Sequence, residues 1–144
     1  MAGDQNNEKW SAGSLIIISG SLTPAEISNA LVTQPTQAFE RGSSLSPGNR
    51  QSGTRDAHVW ILESGLDSSE PLEAHVTRLI EFLEAKQDKL KELVPSCQFQ
   101  IFCGFSSEIG QGGFVLDAAL LRRLTVLPLD LVLDLYPPSD PNAD

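Results

Sequence analysis

The apolar positions of this chain repeat with period two in some stretches and near 3.6 in others, and the switches between them lay out its elements. Residues 15–18, Leu15-Ile16-Ile17-Ile18, form a short, wholly apolar run, as expected of a strand central in a sheet. Thr23-Pro24-Ala25-Glu26 then carries three agreeing helix-start signals. Thr23 can cap, Pro24 suits the first helical position, and Glu26 closes a capping box. That helix is predicted to run to about Val32, burying Ile27, Ala30 and Leu31. Residues 58–63 read as a second strand. A long helix is predicted from near Ser69 or Pro71 to about Val94, with Leu72, Val76, Leu79, Leu83, Leu90 and Val94 on one face. Pro95 stops it. Beyond that point Cys97, Phe99, Ile101, Cys103 and Phe105 alternate with Gln98, Gln100, Phe102 and Gly104, which predicts a strand.

A polar, glycine-rich turn follows and leads to a further predicted strand over 113–116. Asp117 caps a short helix over 118–124, and the last strand covers 129–136. The predicted order is β-α-β-α-β-β-α-β, without the repeated βαβ units of a doubly wound nucleotide-binding fold. The fold class is α+β: a mainly antiparallel or mixed sheet with helices packed on one face, ferredoxin-like in character. Residues 1–13 read as a flexible N-terminal segment, 14–136 as one domain, and 137–144 as a disordered acidic tail.

Composition narrows the function classes. With 144 residues, 40% apolar and 20% charged, the chain is sized for a single soluble core. A net charge of −9 argues against nucleic acid and against anionic membrane surfaces, both of which select cationic proteins. No apolar run approaches the roughly 20 residues of a membrane span. Residues 1–13 lack the hydrophobic region of a secretory leader, so a cytoplasmic location is expected. Cys97 and Cys103 share one face of a strand but lie about 20 Å apart along it, far beyond disulfide reach. Both are expected to be reduced core residues.

No catalytic set can be assembled, and no cofactor is implied. His58 and His75 are the only histidines, and neither has ligand spacing for a metal. Asp130 and Asp134 sit about 13 Å apart on one strand face, too far for paired-carboxylate hydrolysis. Three places remain for binding. The turn around Gly110, Gly112 and Gly113, with Gln111, offers backbone amides to an anion. It leads into a strand where a phosphate loop opens a helix, so a wide hairpin is the plainer reading. The connection over 41–57 holds Arg41, Arg50 and Arg55, half of the chain's six arginines, in a stretch without acidic residues between Gly42 and Arg55. Guanidinium forks there suit a carboxylate or phosphate, unless the segment is simply a solvated loop. The third place is the sheet face away from the helices. Phe102, Tyr136 and Asp134 fall on it by alternation, with Gln98 and Gln100. Trp60 and His58 join them if Val59 and Ile61 point to the core. A half-apolar face of this kind marks association or ligand binding rather than chemistry.

Several of these segments also resemble a known family. One set is the strand at residues 15–19 before Thr23-Pro24, Pro35-Thr36 leading to Arg41-Gly42, and Trp60 ahead of Leu62-Glu63-Ser64. The other is Leu72-Glu73 with His75, then Phe102-Cys103-Gly104-Phe105 and Gln111-Gly112-Gly113-Phe114. Together, over about residues 14–136, they are similar to the bacterial domain-of-unknown-function family numbered 4279. The resemblance implies a small bacterial cytosolic protein and hands over no catalytic residues. The leading expectation is a non-enzymatic binding or interaction protein that uses the open sheet face for an unknown protein partner or a second copy of itself. An acidic chain of this kind is suited to neutralising a basic partner, as a toxin's immunity protein does. The alternative is a small-molecule or nucleotide-binding domain using the glycine-rich turn and the arginine loop.

Overall fold

The structure, a computed structural model, describes residues 9–45, 53–107 and 113–136. Its elements in chain order are β1 (Lys9–Ser19), α1 (Pro24–Leu31), β2 (Gln37–Phe39), β3 (His58–Glu63), α2 (Leu72–Ala85), α3 (Gln87–Leu93), β4 (Gln98–Ser107), α4 (Ala118–Thr125) and β5 (Asp130–Tyr136). The strands form one open five-stranded sheet in the order β2-β3-β1-β4-β5. β1 lies at the centre, antiparallel to both β3 and β4. β2 pairs antiparallel with β3, and β5 runs parallel to β4. The fold is α+β with a mixed sheet, but its strand order is not that of ferredoxin. There the central strand has a parallel neighbour; here the parallel pair is β4–β5, joined across α4.

Register fixes the two faces. Leu15 lies opposite Leu62 and Ile101, and Ile17 lies opposite Trp60 and Phe99. These positions carry the buried face, on which Ile27 and Leu31 of α1, Val76, Leu79, Ile80 and Leu83 of α2, Leu90 and Leu93 of α3, and Leu120 and Leu124 of α4 join one core. The start of α1 has the expected form: Thr23 accepts from the Glu26 amide, and the Glu26 carboxylate accepts from the Thr23 amide. Gly13 lets α2 approach β1 closely, because a Cβ there would stand 2.9 Å from the Cβ of His75.

Four expectations are corrected. Residues 9–13 are not a loose N-terminal segment: β1 starts at Lys9 and its pairing with β4 runs from Lys9–Ser107 onward. The short edge strand β2 escaped the pattern, because three residues, Gln37, Ala38 and Phe39, are too few to show a period. Residues 113–116 do not form a strand. Phe114 turns its ring edge-on to Phe105 of β4 at 5.3 Å, and the Val115 amide donates to Glu73 of α2, so side-chain contacts hold this segment without ladder pairing. The long helix is two, α2 and α3, parted at Lys86, where φ is −115° and ψ 19°. Residues 84–89 contain no large apolar side chain to hold a continuous turn against the core. The break resets the helical phase, so that Leu93 is buried and Val94 is exposed.

Candidate functional site

The outward positions of the sheet follow from the same register. β1 contributes Trp10, Ala12, Ser14, Ile16 and Ile18; β3 contributes Val59, Ile61 and Glu63. β4 adds Gln98, Gln100, Phe102, Gly104 and Ser106, and β5 adds Asp130, Val132, Asp134 and Tyr136. Ile16 lies between Ile61 and Gln100, Ile18 between Val59 and Gln98, and Phe102 between Ser14 and Val132. Ile16, Ile18, Val59, Ile61, Phe102 and Val132 therefore form a contiguous, half-buried apolar centre. None of the six belongs to the core that all the helices share. Glu63, Asp130 and Asp134 are the carboxylates among these outward positions and make the end of β3 and the β5 edge acidic, while at the β2 edge Phe39, opposite Val59, lies under the Arg55 guanidinium.

One end of this face is closed by aromatic rings. The Trp10 ring lies across Gly104, where an added Cβ would meet it at 2.9 Å and Tyr136 at 3.4 Å. Trp10 and Tyr136 meet edge to face at 5.8 Å between centroids. Next along β5, Asp134 raises the Tyr136 phenol above its ordinary pKa, chiefly through a hydrogen bond, with burial and charge adding to it.

Of the residues expected on this face, Phe102, Asp134 and Tyr136 are there. Trp60 is not. It lies opposite Ile17 on the helix-bearing side, fully buried, and its indole nitrogen donates to Ser28 Oγ of α1 at 3.0 Å. His58 shares that side, and Val59 and Ile61 take the outward positions in their place. The sequence of β3 could not decide this, since Val59, Trp60, Ile61 and Leu62 are all apolar and alternation has nothing to contrast.

Two arginines of the 41–57 connection, Arg41 and Arg55, lie among the described residues. The Arg41 guanidinium donates to the Gly20 carbonyl at 3.2 Å, and its amide donates to His58 Nδ1 at 3.0 Å. Arg55 stacks its guanidinium 3.9 Å from the centroid of the Phe39 ring. Backbone bonds Gly42–Arg55, Arg55–Ser43 and Leu45–Gly53 zip the described ends of the connection together. Both described arginines thus already hold the chain to itself. Arg50, and Gln111 of the glycine-rich turn, lie outside the described residues.

A pair that the sequence did not suggest lies under the sheet. Ser64 Oγ and His75 Nδ1 are 2.6 Å apart, both buried, with His75 only 1% exposed. The Leu66 amide donates to the same Ser64 oxygen. A hydroxyl–imidazole contact resembles half of a hydrolytic triad, but among the described residues no carboxylate is bonded to this imidazole, and both groups are buried. The pair ties the start of α2 to the end of β3. Cys97 and Cys103 are free thiols, and burial pushes the Cys103 thiol up to about 11. Among the described residues no three His, Cys, Asp or Glu side chains come together in a way that could hold a metal, and no helix is long and apolar enough to cross a membrane.

The fold and this face define a small α+β domain with an extended half-buried apolar surface on one side of its sheet. The family described as Domain of unknown function (DUF4279) matches over residues 8–138, and the chain belongs to that family. No curated protein and no solved structure matches the chain.

Proposed function

We propose that this chain is a non-enzymatic binding protein of the bacterial cytoplasm, and that it docks a basic protein partner on the open sheet face, as an immunity protein neutralises a toxin. One observation carries the reading: six apolar side chains from β1, β3, β4 and β5 form a centre that belongs to no core and is rimmed by Glu63, Asp130 and Asp134. An apolar middle with a charged rim is the anatomy of a protein interface. A second copy of the chain is a poor occupant, because face-to-face packing brings two acidic rims together. A partner with a lysine or arginine rim answers the same charges.

The test is paired affinity capture from native extract, with the wild-type chain and a Phe102→Asp variant as baits, beside sedimentation of each chain alone. The expected result is a monomeric chain that retains a basic protein, with retention lost in the variant while its thermal unfolding is unchanged. Phe102 lies outside the core, so the substitution is tolerated by the fold. An identical set of captured proteins on both baits, or none on either, overturns the reading.

A further inference from the structure

The sheet ends on β5, and this edge differs from the opposite one. β2 at the other end is only three residues long, and Arg55 lies over its Phe39. β5 is seven residues long and pairs with β4 over its whole length. Its far flank pairs with no strand among the described residues. A strand edge of this length, whose outer backbone donors and acceptors meet no strand among the described residues, is a template for another strand.

The side chains of β5 state which strand it suits. Leu131 packs against the core, but Leu133 and Leu135 on the same side are 42% and 62% exposed, so the helical layer stops short of them. On the other side Asp130 and Asp134 flank Val132. A strand laid beside β5 therefore meets apolar contact below the sheet and two carboxylates, four residues apart, above it. A second copy of β5 fits badly. Antiparallel pairing centred on Val132 sets Asp130 opposite Asp134 of the other copy at both ends, and like charges directly opposite are destabilising. The acidic pair thus disfavours self-pairing in that register and selects for the opposite charge.

We propose that the free edge of β5 accepts an extended segment of a basic partner as a sixth strand, with apolar residues beside Leu133 and Leu135 and lysine or arginine beside Asp130 and Asp134. This rests on the reading of the chain as a receptor for a basic protein, and it adds the backbone edge as the point of entry. Main-chain hydrogen bonds then give the affinity, and the alternating side chains give the selectivity.

The probe is a capped synthetic peptide of about nine residues alternating lysine and valine, long enough to cover β5. Its controls are the glutamate–valine analogue and a lysine–valine peptide N-methylated at alternate amides on its pairing edge. Amide hydrogen exchange, read residue by residue by NMR, is followed with each peptide. The expected result is that β5 amides which exchange freely in the unbound chain become protected by the lysine–valine peptide and by neither control. An Asp130→Asn, Asp134→Asn double variant should weaken this binding by about fivefold or more, since each cross-strand charge pair contributes modestly. Protection confined to the face around Ile16 and Phe102 overturns the edge proposal and leaves the face reading standing. Equal binding of the glutamate peptide overturns it as well, since Asp130 and Asp134 then select nothing, and no protection at β5 at millimolar peptide overturns it by showing the two aspartates to be guards against pairing only. Peptide protection of β5 that persists while Phe102→Asp leaves protein capture unchanged supports the edge and removes the face.

Discussion

Val32 sits at the end of α1 with φ 53° and ψ 45°, a left-handed conformation that β-branched residues avoid. It is there because its amide, donating to the Ser28 carbonyl, closes the helix as a glycine or asparagine usually does. Its side chain is 80% exposed and so gains little from burial in return. Relief of the strain is worth about 1–2 kcal/mol, against which glycine loses roughly 0.5–1 kcal/mol to the freedom of the unfolded chain. Val32→Gly should therefore stabilise the protein by about 1 kcal/mol, and Val32→Asn by a comparable amount. Urea titrations in which both variants unfold at or below the wild-type midpoint would sink this account of the cap. Nothing in the pattern of apolar residues pointed to the strain. The sequence shows where a helix stops more readily than the backbone angle at which it does so.

At the scale of the element, legibility followed contrast. β4 alternates glutamine with apolar residues in its first half, and the expected burial of Phe99, Ile101 and Cys103 holds. The cap residues of α1 are those that its sequence names. β3 has no polar residue over four consecutive positions, so its register, and with it the place of Trp60, is set only by pairing with β1. The open face was therefore foreseen in kind and misassigned in one strand of three. Its centre of Ile16, Ile18, Val59 and Ile61 was hidden in apolar runs that read as core. Where α2 meets the sheet, Leu79 and Leu83 of the expected helical stripe are buried in one core with Ile17 and Ile101 of the strands. Leu83→Ala should then destabilise the domain by about 2–5 kcal/mol, the usual range for a large-to-small change in a packed site. A loss below about 0.5 kcal/mol in denaturant titration is incompatible with this packing.

For the whole molecule the governing quantity is a net charge of −9 spread over 144 residues. Described ion pairs offset little of it. Arg123 forms a two-pronged contact with Glu84 between α4 and α2, and Lys89 lies 3.9 Å from Glu92 on the surface of α3. The remaining carboxylates repel one another in the compact state more than in the expanded chain, and salt screens that repulsion over a Debye length of about 8–10 Å. Screening acts in the opposite sense on the proposed complex, where attraction between an acidic rim and a basic partner speeds encounter. One change of conditions should therefore move the two properties apart. Between low salt and roughly 0.3 M sodium chloride the thermal midpoint should rise by about 2–5 °C, while association with a basic partner slows and weakens. Differential scanning fluorimetry over a salt series measures the first, and stopped-flow association measures the second. A midpoint that falls with salt would mean that attractive pairs dominate the fold. Association indifferent to salt would mean that the apolar centre works alone, and that Glu63, Asp130 and Asp134 take no part in choosing the partner.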